Sequence, residues 1–420
     1  MYDTTEKIEQ SERYILVAAA AGDEEEAWDS LEELADLLDT AGGETACLVV
    51  QRLARPDRTT YIGKGKAMEI RELLQTQEAC GIICDDELTP SQMRNLSDLI
   101  EAKVLDRTML ILDIFAAHAK TREGKIQVEI AQLKYRSTRL RGMGEALSRL
   151  GGGIGTRGPG ETKLESDRRV IQRRIRILSD SIEDMKRARD TARKKRSSSA
   201  GTVAAIVGYT NAGKSTLLNR LTGSDVLSED KLFATLDPTT RTAVLPGGQK
   251  IMFTDTVGFI NKLPHNLIDA FRSTLEEARY ADLIIHVIDA SDEQAELHRR
   301  VVYDTLRDLG ITGKPVITVW NKADLVSRTE LFRDFDADAS VRISAKTGEG
   351  IDEMFAEIER LLRESRKYID EVIPYRDAAI LADIRAMGQI ELEEYVEEGV
   401  RIRAYVPAQL AGKIRREKRG

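Results

Sequence analysis

Eight consecutive residues, Gly208-Tyr209-Thr210-Asn211-Ala212-Gly213-Lys214-Ser215, carry the G-x-x-x-x-G-K-S spacing, and Thr216 leads on into a helical stretch. The chemistry of such a run is phosphate binding. Glycines let successive backbone N–H groups wrap a β-phosphate, and the helix N-terminus that follows adds its dipole. Lys214 is then expected to bridge β- and γ-phosphates, and the Ser215 hydroxyl to coordinate Mg²⁺. Asp255-Thr256-Val257-Gly258 lies downstream; Asp255 suits an outer-sphere contact to the metal, and the Gly258 N–H suits the γ-phosphate. Asn321-Lys322-Ala323-Asp324 chooses the base. Asp324 can accept from guanine N1–H and from the exocyclic amine, whereas adenine offers neither and would leave the carboxylate unpaired. Ser344-Ala345-Lys346 ends a further strand and would add a backbone contact to guanine O6. The order and spacing of these motifs predict a GTP site.

Between the first two motifs runs Phe233-Ala234-Thr235-Leu236-Asp237-Pro238-Thr239-Thr240-Arg241, the expected first switch. One of its threonines should complete the Mg²⁺ shell; Thr235, twenty positions after Ser215, is favoured over Thr239. The metal set is therefore Ser215, Thr235 and Asp255, and the catalytic set Lys214, Thr235 and Gly258. One position departs from the usual chemistry. Where a Ras-like enzyme has a glutamine to orient water, this chain has Phe259, which cannot polarise water. Intrinsic hydrolysis should be slow and completed by a partner or a rearranged switch. Asn211 leaves two readings open: a potassium-assisted site, or an asparagine that only stabilises the loop.

These motifs need a scaffold, and strands at Val203–Val207, Ala243–Leu245, Ile251–Thr254, Leu283–Asp289, Val316–Trp320 and Val341–Ser344 supply one. They place a doubly wound, mostly parallel α/β domain at residues 202–365. Ahead of it, strands and helices alternate over 14–112 as a small α/β subdomain behind a polar tail, 1–13. There Gly63-Lys64-Gly65 reads as a turn, and Asp85-Asp86-Glu87 as a solvated loop rather than a cation site. Residues 113–196 turn helical. Ile126, Ile130, Leu133, Leu140 and Leu147 share a 3–4 spacing, as do Ile171, Ile175, Leu178, Ile182 and Met185, which suggests an antiparallel helical hairpin. Its tip is the glycine-rich loop Gly151-Gly152-Gly153-Ile154-Gly155-Thr156-Arg157-Gly158-Pro159-Gly160, flanked by Arg149. A linker at 197–201 and a small α+β domain at 366–420 complete the chain.

Total charge is −8, yet residues 120–199 hold 22 Lys and Arg against 10 Asp and Glu, a net +12 inside an acidic protein. A basic rod of this kind is an electrostatic footprint for RNA phosphates, the alternative being intramolecular docking on the GTPase domain. Arg149 and Arg157 would bring that charge to a thin tip. No apolar run reaches the roughly 18 residues that span a bilayer, and the start lacks a secretory pattern, so a cytoplasmic protein is expected, with no indication of peripheral membrane association. Cys47, Cys80 and Cys84 form neither a C-x-x-C pair nor a disulfide framework, and Cys80 and Cys84 read as buried thiols rather than ligands. His118, His265, His286 and His298 have no ligand spacing.

The segment Gly151–Arg169, with Gly158-Pro159-Gly160-Glu161-Thr162-Lys163-Leu164-Glu165-Ser166-Asp167-Arg168-Arg169, closely resembles the signature of the HflX family of ribosome-associated GTPases. Gly63-Lys64-Gly65-Lys66, Asp106-Arg107, Ala131-Gln132-Leu133 and Phe233–Arg241 resemble that family too, over about Tyr14 to Leu362. Lys163 stands where many relatives have glutamine. The resemblance implies a GTPase that cycles between GTP and GDP and binds the large (50S) ribosomal subunit and its RNA; a monomer is expected. It also implies a hairpin tip aimed toward the peptidyl-transferase region, and dissociation of stalled or idle 70S ribosomes under stress. An RNA-maturation GTPase and a protein-recruiting switch are the competing readings. Some relatives use ATP through the N-terminal domain, but this sequence shows no second P-loop.

Overall fold

The computed structural model describes residues 12–150, 159–196, 202–223, 232–233, 237–263, 277–327 and 333–417. It divides into two compact units, one of residues 1–184 with 261–270, the other of 185–260 with 271–420.

In the first unit, strands β1 (Arg13–Ala20), β2 (Glu44–Arg52), β3 (Gly81–Cys84) and β4 (Lys103–Asp106) form a parallel sheet in the order β2-β1-β3-β4. All four residues of β3 are buried, as a strand flanked by helices requires. Helices α1 (Glu24–Thr40), α2 (Lys64–Thr76), α3 (Pro90–Ile100) and α4 (Arg107–His118) connect and follow the strands. Local signals start them. Asp23 caps α1 by accepting from the Glu25 N–H, and three glutamates in the first turn suit the helix dipole. Thr89 and Gln92 form a capping box on α3, whose first residue is Pro90. Gly63-Lys64-Gly65 is not a free turn: Gly63 is the N-cap of α2, and Lys64 and Gly65 are its first residues.

Two long helices follow, α5 (Arg122–Leu150) and α6 (Pro159–Arg196). They occupy the span where a helical hairpin is expected, with two differences in its bounds. α4 runs through the expected boundary at 113, so the hairpin proper begins at Arg122. Pro159 and Gly160 belong to the first turn of α6, where a proline's missing N–H has no helical partner to lose. Along α6, Ile171, Ile175, Ile182 and Met185 are half-buried and Leu178 is buried, which is the predicted stripe. Arg174 ties α6 to Glu129 of α5 through Nε at 2.8 Å.

In the second unit a six-stranded sheet has the order β10-β9-β8-β5-β7-β6. Its strands are β5 (Thr202–Gly208), β6 (Thr239–Val244), β7 (Lys250–Asp255), β8 (Leu283–Asp289), β9 (Val316–Asn321) and β10 (Ala339–Arg342). Only β6 runs antiparallel, paired to β7 through a tight turn in which Gly248 adopts φ +81°. Helices α7 (Lys214–Thr222), α8 (Ala295–Asp308) and α9 (Ile351–Glu364) flank the sheet. The core joins Ile206, Leu217, Phe253, Ile285, Val319 and Ile358, all fully buried. Truncating such a residue to alanine costs about 2–5 kcal/mol. The C-terminal part adds β11 (Lys367–Ile373), α10 (Ala378–Met387), β12 (Gln389–Val396), β13 (Gly399–Val406) and α11 (Ala408–Glu417). Its antiparallel sheet has the order β11-β13-β12 and packs on both helices through Ile369, Ile384, Ile402 and Leu410.

Candidate nucleotide site

The run Gly208–Ser215 spans the end of β5 and the start of α7. Gly213 caps α7 at φ +91°, and a Cβ there would collide with Asn321 Nδ2, so both conformation and space demand glycine. Asn211 adopts φ +57°, a left-handed conformation that asparagine tolerates better than most residues. That conformation gives Asn211 a structural reason to be present. Lys214 is 7% exposed, with Nζ donating to the Tyr209 carbonyl at 2.6 Å. Burial lowers its pKa to about 8, against the opposing pull of Asp255. Ser215 Oγ donates to Asp255 Oδ2 at 2.8 Å, and Asp255 is 1% exposed at the end of β7. A hydroxyl and a carboxylate so placed are hard oxygen donors, the set Mg²⁺ prefers. Thr235, Ala234 and Leu236 fall outside the described residues. The rival Thr239 is described, in β6 directly opposite Asp255 in the ladder.

The Asp255–Gly258 loop is fastened to the phosphate loop by backbone. The Phe259 N–H donates to Gly208 O at 3.1 Å, and the Thr210 N–H donates to Phe259 O at 2.8 Å. Thr256 reaches back to Ile206 O through its N–H at 3.2 Å and its hydroxyl at 2.8 Å. The Phe259 side chain is 2% exposed. It therefore serves as core, and its backbone registers one loop on the other.

Asn321 ties three loops. Its Nδ2 donates to Ala212 O at 2.8 Å, and its Oδ1 accepts from the Ala345 N–H at 2.9 Å. In this arrangement the Ala345 amide serves Asn321 rather than standing free for guanine O6. Ala323 and Asp324 form a short 3₁₀ turn with Leu325, entered through Lys322 at φ +61°. Lys322 pairs with Asp289 at 2.6 Å. A hydrogen bond from Ser344 holds the exposed Asp324 carboxyl below the usual carboxylate range. Trp320 is buried behind this turn with Ile288 and Ala290, its Nε1 donating to Ser340 Oγ at 3.0 Å.

Motif reading does not find the arginines that support these turns. Arg342 donates through Nη2 to Ala323 O and Val326 O, each at 3.0 Å, and through Nη1 to Ser327 O at 2.8 Å. Arg220, on α7, donates through Nε to Ala345 O at 3.0 Å and also bonds Lys346 O. Nor does it find the stacking of His298 on Tyr209, with ring centroids 3.6 Å apart and planes 13° apart. His298 Nδ1 lies 3.1 Å from Asp292, a bond that holds the Asp292 carboxyl below its usual range.

Outside the nucleotide domain, two expectations are corrected. Asp85 is no solvated loop residue: its side chain is fully buried, accepting from Ser30 Oγ and from Arg107 Nη1, each at 2.8 Å, and pairing with Lys262. Burial raises its pKa. Of the three cysteines only Cys84 is buried; Cys47 is half-buried and Cys80 exposed. The tip residues 151–158 and His265 lie outside the described residues, and the side chain of Arg149 likewise. No group of three or more His, Cys, Asp or Glu among the described residues could hold a metal, and no described helix is long and apolar enough to cross a membrane.

Three family models match the chain: "GTP-binding GTPase N-terminal" over 28–116, "GTP-binding GTPase Middle Region" over 118–196, and "50S ribosome-binding GTPase" over 203–322. A protein named GTPase HflX from Lacrimispora saccharolytica is 56% identical over 98% of this chain and 97% of its own. GTPase HflX from Escherichia coli is 40% identical over 88% of each. A solved GTP-binding protein described as SsGBP in complex with GDP is 26% identical, with a TM-score of 0.47, covering 83% of this chain and 98% of that one. Identity of this extent, spread over nearly the whole length and joined to a complete set of guanine-nucleotide motifs, makes this chain a member of the HflX family of ribosome-associated GTPases, an enzyme that hydrolyses GTP.

Proposed function

We propose that this GTPase docks on the large ribosomal subunit in its GTP form, dissociates stalled or idle 70S ribosomes by that docking, and leaves after hydrolysis. The observation that carries the reading is the basic hairpin. Residues 120–199 hold a net charge of +12 in a chain of total −8, and the two helices that bear it, α5 and α6, run for 29 and 38 residues. Such a rod suits a phosphate-rich surface, and its binding should weaken steeply with salt. The glycine-rich tip, 151–160 with Arg149 and Arg157, is the part assigned to the RNA cleft.

In the nucleotide site, Gly208–Thr216 hold the phosphates, with Lys214 reaching the β- and γ-groups. Asn321–Asp324 and Ser344–Lys346 hold guanine. Ser215, Asp255 and Thr235 are the residues that would hold Mg²⁺. Held there, the cation would offset the negative charge that develops on the phosphate oxygens during hydrolysis. The protein's own part is positional: Gly258 offers an N–H to the γ-phosphate, and the Phe259 backbone sets where that N–H stands. No side chain at 259 orients water. Intrinsic turnover is therefore slow, and the ribosome supplies what accelerates it.

Sedimentation through a sucrose gradient with purified 50S subunits and a non-hydrolysable GTP analogue tests this reading. The protein should travel with 50S at low salt and lose that association as salt rises. A protein that stays at the top of the gradient at low salt would refute the ribosomal reading.

A further inference from the structure

The hydroxyl of Thr210 is buried without a partner. The residue is 7% exposed, and Oγ1 has no hydrogen-bond partner among the described residues. Buried hydroxyls are almost always satisfied, because an unmade bond leaves the whole desolvation penalty standing. The neighbours of Thr210 indicate what is to satisfy it. Its Cα and its Cγ2 each lie 2.9 Å from the point a Cβ on Gly258 would occupy, and Lys214 Nζ lies 3.0 Å from the same point. Three groups thus converge there: the side chain of Thr210, the backbone of Gly258 and the Lys214 ammonium. The Thr210 backbone is held in place by its N–H bond to Phe259 O at 2.8 Å.

Gly258 and Lys214 are the two groups assigned to the γ-phosphate, so Thr210 stands at the terminal-phosphate end of the loop. The methyl group faces Gly258, and the hydroxyl leaves the same Cβ, so one χ1 step exchanges them. We propose that the Thr210 hydroxyl donates a hydrogen bond to the γ-phosphoryl group of bound GTP and is a catalytic residue of the hydrolysis. Water adds to the γ-phosphorus as the bond to the β–γ bridging oxygen breaks, the electron pair leaves with GDP, and the water proton ends on inorganic phosphate. Thr210 makes and breaks no covalent bond. Its donor acts on the equatorial oxygens, where a buried, preorganised donor is most effective. With Phe259 unable to offer a side-chain donor, this position gives the loop one of its own.

The inference rests on the assignment of Gly208–Ser215 as the phosphate loop, and the test separates the two. Thr210→Val removes the hydroxyl at nearly constant shape, and Thr210→Ser keeps it. Single-turnover GTP hydrolysis should slow about 100-fold in the valine variant, the scale seen when one such donor is removed. GDP affinity, measured by fluorescence titration, should stay within about twofold, since GDP has no γ-phosphate, and the serine variant should return the rate to near wild type. A valine variant that hydrolyses normally, one that loses GDP affinity as strongly as rate, or a serine variant as slow as valine would each overturn the proposal. Lys214→Ala is the control on the loop itself: it should lose GDP binding, and if it binds GDP normally the loop assignment falls and the Thr210 role with it.

Discussion

The nucleotide domain and the helical hairpin carry function in opposite ways. Around the nucleotide loops, few atoms matter and each is pinned. Asn321 spends its whole amide on tying Ala212 to Ala345, and the Phe259 backbone bonds both Gly208 and Thr210. In the hairpin, by contrast, most of the described charged groups are exposed, and the interhelical ion pair Arg174–Glu129 leaves both partners about half exposed; Arg139 of α5 is an exception, bonded to the buried Asp106 at 2.6 Å. Chemistry needs sub-ångström placement, so it is built where burial and backbone bonds over-determine geometry. Polyanion binding needs only summed charge, so it tolerates a solvated rod.

If that contrast is right, single substitutions should be severe in the first region and mild in the second. The largest effect is expected from Asp324→Asn, which exchanges an acceptor for a donor opposite guanine N1–H. Competitive nucleotide binding should shift from GTP toward xanthosine triphosphate by more than about 100-fold, in keeping with the discrimination reached when the wrong base leaves a site's hydrogen-bonding group unpaired. Unchanged GTP preference would remove Asp324 from base recognition. Next comes Arg342→Met, which removes the three hydrogen bonds beneath the Asp324 turn. The ratio of GDP to IDP affinity should narrow about tenfold, since hydrogen bonds from a charged guanidinium are worth about 1.5–3 kcal/mol each and part of their loss loosens the turn that reads the exocyclic amine. Equal weakening of both nucleotides would make Arg342 a purely structural residue.

Within the hairpin, Arg169, Arg173 and Arg176 are exposed on α6. Replacing any one of them by glutamine should change 50S affinity only slightly. Replacing all three should lower the slope of log affinity against log salt by up to about 3, one for each phosphate that is no longer neutralised, while basal GTP hydrolysis stays at the wild-type rate. A single replacement that abolishes binding would break the comparison, because it would mean that one of these exposed arginines acts as a pinned group. The smallest effect concerns pH. His286 is buried in β8 and neither ring nitrogen has a hydrogen-bond partner among the described residues; burial lowers its pKa to about 3. Between about pH 6.5 and pH 3 the unfolded chain binds a proton that the folded one refuses, so stability falls as pH drops through that window. His286→Leu should show a smaller loss of Tm between pH 7 and pH 5, and parallel Tm curves would contradict the assignment.

Much of the molecule is legible in its sequence because the nucleotide chemistry is written in short contiguous runs. A P-loop, a D-x-x-G and an N-K-x-D each carry their own strand or helix boundary, and the parallel strands read as apolar stretches. What escapes lies in side chains that act across long separations. Arg220 bonds carbonyls 125 and 126 residues away, and nothing in its neighbourhood marks it. Asp85 stands in an acidic triplet that looks solvated, and only the tertiary approach of Ser30 and Arg107 buries it. Strand β11 is hard to see because its buried residues, Ile369 and Ile373, are separated by a charged stretch. The run Ala378–Leu381, strand-like by composition, is only the first turn of α10.

The proposed function couples a pinned GTP switch to a charged rod that enters the ribosome. Light scattering of 70S ribosomes, recorded after adding the protein with a non-hydrolysable GTP analogue or with GDP, tests this most directly. Scattering should fall as the subunits separate with the analogue, stay level with GDP, and stay level with either nucleotide once Gly151–Gly160 is replaced by a short serine linker. Splitting that proceeds equally with GDP, or equally without the glycine tip, would contradict it.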